Sequence, residues 1–271
     1  MNKIKTITAA VALAVFSSAP MASTNMDTIE PIQMTSEDLS IADYDDQNAV
    51  SGFNDVEQSI IDRISTLAPD SSVTHISESP VPGLYTVVID DSEVIYMSSN
   101  SRIFISGDMM EISTVGVKNL TEERRSTNRM KLLSEFQKNG VISYNAPNEK
   151  IRLSVFTDID CPYCRKLHEN MDEYLSAGIS IDYYAYPRSG PETSSFTKYV
   201  ATWCADDQKK AMDFVMSGGN IGSNDCENPV EQQFRLGEKI GITGTPSFIS
   251  LDGQVVPGLL PPQALLRQFG L

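Results

Sequence analysis

The sequence predicts two domains of mixed helix and strand, an α+β domain followed by an α/β domain, with a polar helix between them. In the first half, an amphipathic helical segment precedes short strand-like runs separated by turn residues, which is the order of a helix packed on an antiparallel sheet. In the second half, strands and helices alternate, which is typical of α/β domains. With 271 residues, the chain is long enough for two modest cores.

The N-terminus has the pattern of a secretory signal peptide. Lys3 and Lys5 precede an apolar segment at residues 7–16, and small residues follow up to Ala22. The apolar segment is too short to span a bilayer. We therefore predict a signal peptide at residues 1–22 and a soluble, exported protein without membrane insertion. The formal net charge of −15 also argues against nucleic acid and anionic membranes as partners.

Residues 23–52 contain seven acidic residues and no lysine or arginine, which predicts a disordered acidic leader. An acidic docking arm is the alternative.

Residues 53–118 are predicted to form the first domain. Asn54 and Glu57 are spaced as a capping box, and strand-like runs follow at residues 85–89, 94–97, 102–105 and 109–115. A domain of this size is marginally stable alone, and sharing a sheet edge with a second copy would stabilise it. The apolar positions on one face of the predicted helix are Phe53, Val56, Ile60, Ile64 and Leu67.

Residues 119–140 predict a helix that is polar on all sides at its start. Met130, Leu133 and Phe136 then form an apolar stripe, and Asn139-Gly140 is predicted to end the helix. A helix of this kind usually links two domains, and an ordinary surface helix is the alternative.

Residues 141–271 have the element order of a thioredoxin-like domain with a helical insert. Asp252-Gly253 predicts a hairpin turn between the last two strands. The predicted strands are residues 151–157, 179–185, 247–251 and 254–256, and the predicted helices are a segment from Pro162 to about 176, an insert at about 192–216, and residues 230–240 and 262–269.

Cys161-Pro162-Tyr163-Cys164 is the motif with the clearest chemistry. Pro162 suits the first helical position, which leaves Cys161 at the helix N-terminus, where free backbone N–H groups favour a thiolate. We therefore predict that Cys161 is the nucleophile and that Cys164, more buried, is the resolving cysteine. Asp160 would raise the pKa of Cys161 if its carboxylate points inward.

A cis proline is predicted at Gly244-Thr245-Pro246, because a thioredoxin-like fold has one at this position beside the reactive thiol. Cis bonds are only about one in twenty X-Pro bonds, so proline alone does not predict a cis bond here. The prediction depends on the place of Pro246 in the order of elements after the CPYC motif. Thr245 and Pro246, together with Pro162 and Tyr163, are predicted to contact an extended substrate segment.

His168 raises the alternative of a metal site, because Cys161, Cys164 and His168 have a CxxCxxxH spacing. The other histidine, His75, belongs to the first domain, so we expect no metal. We expect His168 to be exposed or to assist the thiolate weakly.

From residue 53 to residue 271, the chain resembles the periplasmic protein disulfide isomerases of the DsbC/DsbG family. The resemblance implies a homodimer that pairs strands of its N-terminal domains, a linker helix, and thioredoxin-like catalytic domains facing a cleft. It also implies isomerisation or reduction of incorrect disulfides in exported proteins without a cofactor, and an inner-membrane reductant of the DsbD type. The shared motifs lie at residues 156–161, 166–169, 186–188, 203–205, 244–246 and 256–258.

Two features bear on the branch of the family. Cys204 and Cys226 resemble the second disulfide of the isomerases, which DsbG lacks, and closing this loop would stabilise the fold by about 3 kcal/mol. Pro162 stands where those isomerases typically have glycine and favours a DsbG-like protein. The resemblance is closer to DsbC. The alternatives are a DsbG-like reductase of sulfenylated cysteines, a redox-independent holdase, and a permanent structural disulfide between Cys161 and Cys164.

Overall fold

The computed structural model describes residues 54–136 and 140–271. The predicted signal peptide and acidic leader, at residues 1–22 and 23–52, lie outside the described residues. In the part of the chain that is described, every helix is too short or too polar to cross a membrane.

The first helix, α1, spans Asp55–Leu67 and begins at the predicted capping box. The Asn54 side chain accepts the N–H groups of Val56 and Glu57, and the Glu57 carboxylate accepts the N–H of Asn54. These bonds satisfy backbone donors that the first helical turn cannot pair internally.

Helix α1 packs on a four-stranded antiparallel sheet, and Ile60 and Ile64 contribute its buried face. The strands predicted at residues 85–89, 94–97 and 102–105 are present in this sheet. The sequence misses the first strand, because four of its six residues are polar. In sheet order, the strands are β1 (Val73–Glu78), β2 (Leu84–Ile89), β3 (Glu93–Ser98) and β4 (Phe104–Ser106).

The single strand predicted at residues 109–115 is wrong. This segment turns back on itself and forms a separate two-stranded hairpin of β5 (Met110–Ser113) and β6 (Gly116–Asn119). Gly116 has a positive φ of 141°, a conformation that glycine adopts at no steric cost.

The polar helix, α2, spans Leu120–Glu135, so the predicted end at Asn139-Gly140 is wrong. Phe136 has an extended backbone that ends the helix, because its side chain packs instead against the C-terminal core. Met130 is 44% exposed, so it does not belong to the predicted stripe; Leu132 packs there with Leu133 and Phe136.

The C-terminal part contains a five-stranded sheet. The sequence misses its first strand, a three-residue edge strand that is too short to show a period. The two longest strands pair in parallel, and the other pairs are antiparallel. The order across the sheet is β11 (Val255–Pro257), β10 (Ser247–Ile249), β8 (Ile151–Thr157), β9 (Ile179–Ala185) and β7 (Ile142–Tyr144).

Helices cover this sheet, and two predicted helices are each divided in two. The segment after the CPYC motif breaks at Asn170, and the insert breaks before Asp207, whose side chain caps a new helix by accepting the N–H of Lys210. The helices are α3 (Pro162–Glu169), α4 (Met171–Ser176), α5 (Ser194–Trp203), α6 (Gln208–Met216), α7 (Val230–Lys239) and α8 (Pro262–Gln268).

Helix α2 docks on the hairpin turn between β10 and β11. The buried Arg129 Nε donates to the Gly253 carbonyl at 2.7 Å, and its guanidinium also contacts Glu122 and Ser126. A Cβ atom on Gly253 would lie 2.2 Å from the carbonyl oxygen of Ser126, closer than any real contact. The turn therefore requires glycine both for its φ of +78° and for the close approach of α2.

We predict that Gly253→Ala destabilises the protein more than Gly222→Ala. Both glycines have a φ of +78°, but an added Cβ on Gly222 would meet no atom within 4 Å. The backbone conformation costs alanine about 1 kcal/mol at either position. The contact with α2 adds a further cost of about 1–3 kcal/mol at Gly253. Urea unfolding of both variants measures the difference, and equal losses would contradict the docking contact.

Candidate functional site

The CPYC motif lies at the start of α3, immediately after the loop that follows β8. Cys161 caps the helix with an extended backbone, and Pro162 is the first helical residue, as the sequence predicts. Because proline has no N–H, the helix begins without losing a hydrogen bond at this position. Both cysteines are free thiols, and the N–H of Asp158 donates to Cys164 Sγ at 3.4 Å.

The sequence predicts that Cys164 is more buried than Cys161, but the difference in burial is small. Cys161 is 1% exposed and Cys164 is 0% exposed. Pro162 and Tyr163 form the exposed part of the motif, and Tyr163 is 66% exposed. An incoming molecule therefore meets these two residues at the surface.

The two cysteines differ strongly in acidity. A hydrogen bond from Cys164, together with donors at Thr245 and the N–H groups of Cys164 and Tyr163, lowers the pKa of Cys161 to about 5, although burial opposes this change. Burial and the neighbouring Cys161 raise the pKa of Cys164 far above its ordinary value. Near neutral pH, the pair therefore consists of a thiolate on Cys161 and a thiol on Cys164.

The Thr245-Pro246 peptide bond is cis and lies beside the dithiol. Cys161 Sγ is 3.4 Å from the Thr245 carbonyl oxygen, although the two residues are far apart in sequence. Strand β10, which follows Pro246, pairs with β8, which precedes the motif, with Ser247 opposite Phe156. This pairing brings Cys161, Cys164 and Thr245 together.

A buried carboxylate, Asp158, organises the loop before the motif. It accepts hydrogen bonds from Ser195 Oγ at 2.7 Å, Asp160 N at 3.0 Å, and Arg188 N and Nε at 3.1 and 3.0 Å. Burial alone would raise the pKa of Asp158, but these donors outweigh it and lower the pKa. The sequence indicates no role for Asp158, because Arg188 and Ser195 reach it only through the fold.

The Asp160 carboxylate, directly before Cys161, forms ion pairs with two cations. Its Oδ1 lies 2.7 Å from Lys198 Nζ and 3.2 Å from Arg165 Nη2. Lys198 belongs to α5, in the helical insert, and no local sequence pattern connects it with the motif.

Of the two alternatives for His168, exposure is wrong, and weak assistance to the thiolate stays a prediction. Its side chain is largely buried, with Nε2 3.1 Å from Asp213 Oδ1 and Nδ1 3.4 Å from the Tyr183 hydroxyl. Burial lowers the pKa of His168, although Asp213 acts in the opposite direction. Within residues 54–136 and 140–271, the side chains of His, Cys, Asp and Glu form no group of three that could hold a metal ion.

Cys204 and Cys226 form a disulfide with a Cα–Cα distance of 5.7 Å. The bond joins the end of α5 to the loop before α7. The neighbouring Trp203 is buried, and its Nε1 donates to the Gly140 carbonyl at 2.7 Å.

Two family models match the chain. A model described as a thioredoxin-like domain matches residues 138–270. A model described as the N-terminal domain of disulfide bond isomerase proteins matches residues 44–122. Together they span both parts of the described fold.

Several curated relatives and solved structures are similar to this chain. The thiol:disulfide interchange protein DsbC of Escherichia coli (strain K12) is 34% identical over 218 residues, which cover 80% of this chain and 89% of the relative. DsbC of Salmonella typhimurium is 36% identical over 192 residues, covering 71% and 78% of the two chains. A crystal structure of a disulfide interchange protein from Neisseria gonorrhoeae is more distant, at 26% identity and a TM-score of 0.44, covering 49% of this chain and 97% of that chain.

The sequence identity to the E. coli and S. typhimurium proteins extends over most of both chains. Both family models agree with it. The chain therefore belongs to the DsbC family of thiol:disulfide interchange proteins.

Proposed function

We propose that the protein is a periplasmic enzyme that isomerises or reduces incorrect disulfides in exported proteins. The observation that carries this proposal is the difference in acidity between two free cysteines at the start of α3. Membership of the DsbC family supports it. The chemistry requires no organic cofactor, because sulfur atoms carry the electron pairs throughout.

In the first step, the Cys161 thiolate attacks one sulfur of a substrate disulfide. A bond forms between Cys161 Sγ and that sulfur, and the second substrate sulfur leaves as a thiolate with the electron pair of the broken bond. A pKa of about 5 keeps Cys161 ionised at neutral pH, so attack needs no prior deprotonation.

The mixed disulfide can be resolved in two ways. In isomerisation, another thiolate of the substrate attacks the substrate sulfur that is bonded to Cys161. A new substrate disulfide forms and Cys161 leaves as a thiolate, with no net oxidation. In reduction, Cys164 loses its proton and attacks Cys161 Sγ, which releases reduced substrate and leaves a Cys161–Cys164 disulfide. Because burial raises the pKa of Cys164, its attack on the mixed disulfide is slow and leaves time for isomerisation.

After reduction, the Cys161–Cys164 disulfide needs two electrons before the next turnover. We propose an inner-membrane reductant of the DsbD type as their source. Its thiolate would attack the disulfide through a second mixed disulfide and restore both thiols.

Thr245 and Pro246 form one side of the proposed substrate site, with Pro162 and Tyr163 on the other. The Thr245 main chain lies beside Cys161 Sγ, so an extended substrate segment paired with it would hold its sulfur near the thiolate. The exposed ring of Tyr163 offers apolar contact area without requiring a particular sequence. We propose a structural role for the Cys204–Cys226 disulfide.

We propose that the protein is a homodimer that pairs the edges of its N-terminal sheets. Strand β4 is the last strand of that sheet, and all three of its residues are exposed. Phe104 is 63% exposed, and Ile103 and Ile105 are also exposed apolar residues. An apolar edge strand with unpaired backbone groups is a site for pairing with a second copy.

We also propose export to the periplasm through a cleavable signal peptide at residues 1–22. The basic, apolar and small residues of this segment support the proposal. In the periplasm, disulfides persist, and substrates with wrong pairings would be available.

We predict that Cys161→Ser abolishes recovery of a scrambled multi-disulfide protein in glutathione buffer, because serine cannot form the mixed disulfide. Cys164→Ser should instead accumulate mixed disulfides with substrate, visible on non-reducing gels, because Cys164 can no longer resolve them. The two variants differ only in which sulfur of the motif is removed, so each is the control for the other.

Retained isomerase activity in Cys161→Ser would contradict the mechanism. If the wild-type protein fails in this assay but reduces a sulfenylated single-cysteine substrate, the DsbG-like function replaces isomerisation. Suppression of aggregation that survives loss of both thiols would instead identify a holdase.

We predict that the rate of Cys161 alkylation by iodoacetamide rises with pH through a midpoint of about 5 and is then constant to neutral pH. The sign follows from the thiolate being the reactive form, so protonation below the pKa slows the reaction. Mass spectrometry of the Cys161 peptide measures the rate. A midpoint near the ordinary value of 9.0 would contradict the proposed nucleophile.

We predict that Phe104→Lys converts the dimer to a monomer, because a lysine on the paired edge repels its symmetry mate and cannot be desolvated. Val81→Lys, which replaces an exposed apolar residue before β2, is the matched control and should remain dimeric. Sedimentation equilibrium measures the mass. A monomeric wild-type protein or a dimeric Phe104→Lys variant would contradict pairing through β4.

A further inference from the structure

An acidic residue directly before a reactive thiolate is unfavourable, and the structure contains a specific arrangement at Asp160. We propose that Lys198 and Arg165 are positioning residues that bind the Asp160 carboxylate and compensate its charge beside the Cys161 thiolate. This inference rests on the proposed function, in which Cys161 is the nucleophile.

Both cations reach the same oxygen of Asp160 from different elements. Lys198 Nζ, from α5, lies 2.7 Å from Asp160 Oδ1, and Arg165 Nη2, from α3, lies 3.2 Å from it. Arg165 Nε also donates to the Ile159 carbonyl at 2.7 Å, which fixes the guanidinium against the loop. The carboxylate is thus held between the helical insert and the active-site helix.

These side chains are only partly open to solvent. The exposed fractions are 26% for Lys198, 37% for Asp160 and 38% for Arg165. An ion pair that is partly covered is screened less by salt than one that is fully exposed. Compensation of the Asp160 charge therefore persists at physiological ionic strength.

The other charged groups around the loop are also paired. The second carboxylate, Asp158, binds Arg188. Two carboxylates thus face three cations, which leaves one positive charge near the motif in a chain with a formal net charge of −15. Cys164, Thr245 and the free N–H groups at the start of α3 also stabilise the thiolate.

Lys198 is the better residue to test, because its side chain reaches Asp160 without the additional backbone contact that Arg165 makes. Removing its charge leaves Asp160 undercompensated next to Cys161. The loss of one positive charge beside the residue that precedes Cys161, in surroundings close to water, raises the thiol pKa by about 0.5.

The test measures the pKa of Cys161 in the reduced, full-length mature protein from the ultraviolet absorbance of the thiolate. Lys198→Met should raise it by about 0.5, whereas Lys198→Arg should leave it unchanged. Lys210→Met is the matched control, because Lys210 also forms an ion pair in the helical insert and its loss changes the net charge equally. It should cause no change.

The double variant Asp160→Asn/Lys198→Met separates the proposed role from a structural one. Removing both charges should return the pKa of Cys161 to the wild-type value, whereas damage to the fold would persist. The proposal is overturned if Lys198→Met has no effect, if Lys210→Met has the same effect, or if the double variant keeps the raised value.

Failure of the proposed function gives a different result. If the wild-type Cys161 titrates near 9.0, its role as nucleophile fails before any variant is compared. If the wild-type thiol is acidic and Lys198→Met leaves it unchanged, only the role of Lys198 and Arg165 fails.

Discussion

The hydrogen bond between the Cys164 thiol and the Cys161 sulfur gives opposite protonation states to two cysteines in one helical turn. Two identical side chains become chemically different because Cys161 lies at the helix N-terminus and accepts hydrogen bonds, whereas Cys164 donates one of those bonds. The start of α3, the N–H of Asp158 and the Thr245 segment all act on this pair. The surrounding fold keeps these groups in place.

The sheet is what brings distant segments to the dithiol. Strands β8 and β10 are neighbours in space although the helical insert and α7 separate them in sequence. One strand leads into the CPYC motif, and the other follows the cis proline. The helical insert provides Ser195 and Lys198, which bind Asp158 and Asp160 in the loop before the motif. The site therefore includes side chains from the insert as well as from the elements next to the sheet.

Local chemistry explains what could be predicted from the sequence. The Asn54 cap, the start of α3 at Pro162 and the turn at Gly253 depend on residues within a few positions, so the sequence predicts them correctly. The partners of Asp158 and Asp160 come from helices and loops far along the chain, and no local pattern indicates them. The short edge strand β7 and the end of α2 likewise depend on tertiary packing.

The docking of α2 on the Gly253 turn has a mechanical consequence. The turn joins β10 to β11, and β10 begins directly after Pro246. Arg129 therefore binds the turn that follows β10, whereas the segment that precedes β10 lies beside Cys161 Sγ. A tilt of α2 would displace this turn, so the orientation of α2 and the position of the Thr245 segment beside Cys161 are coupled through β10.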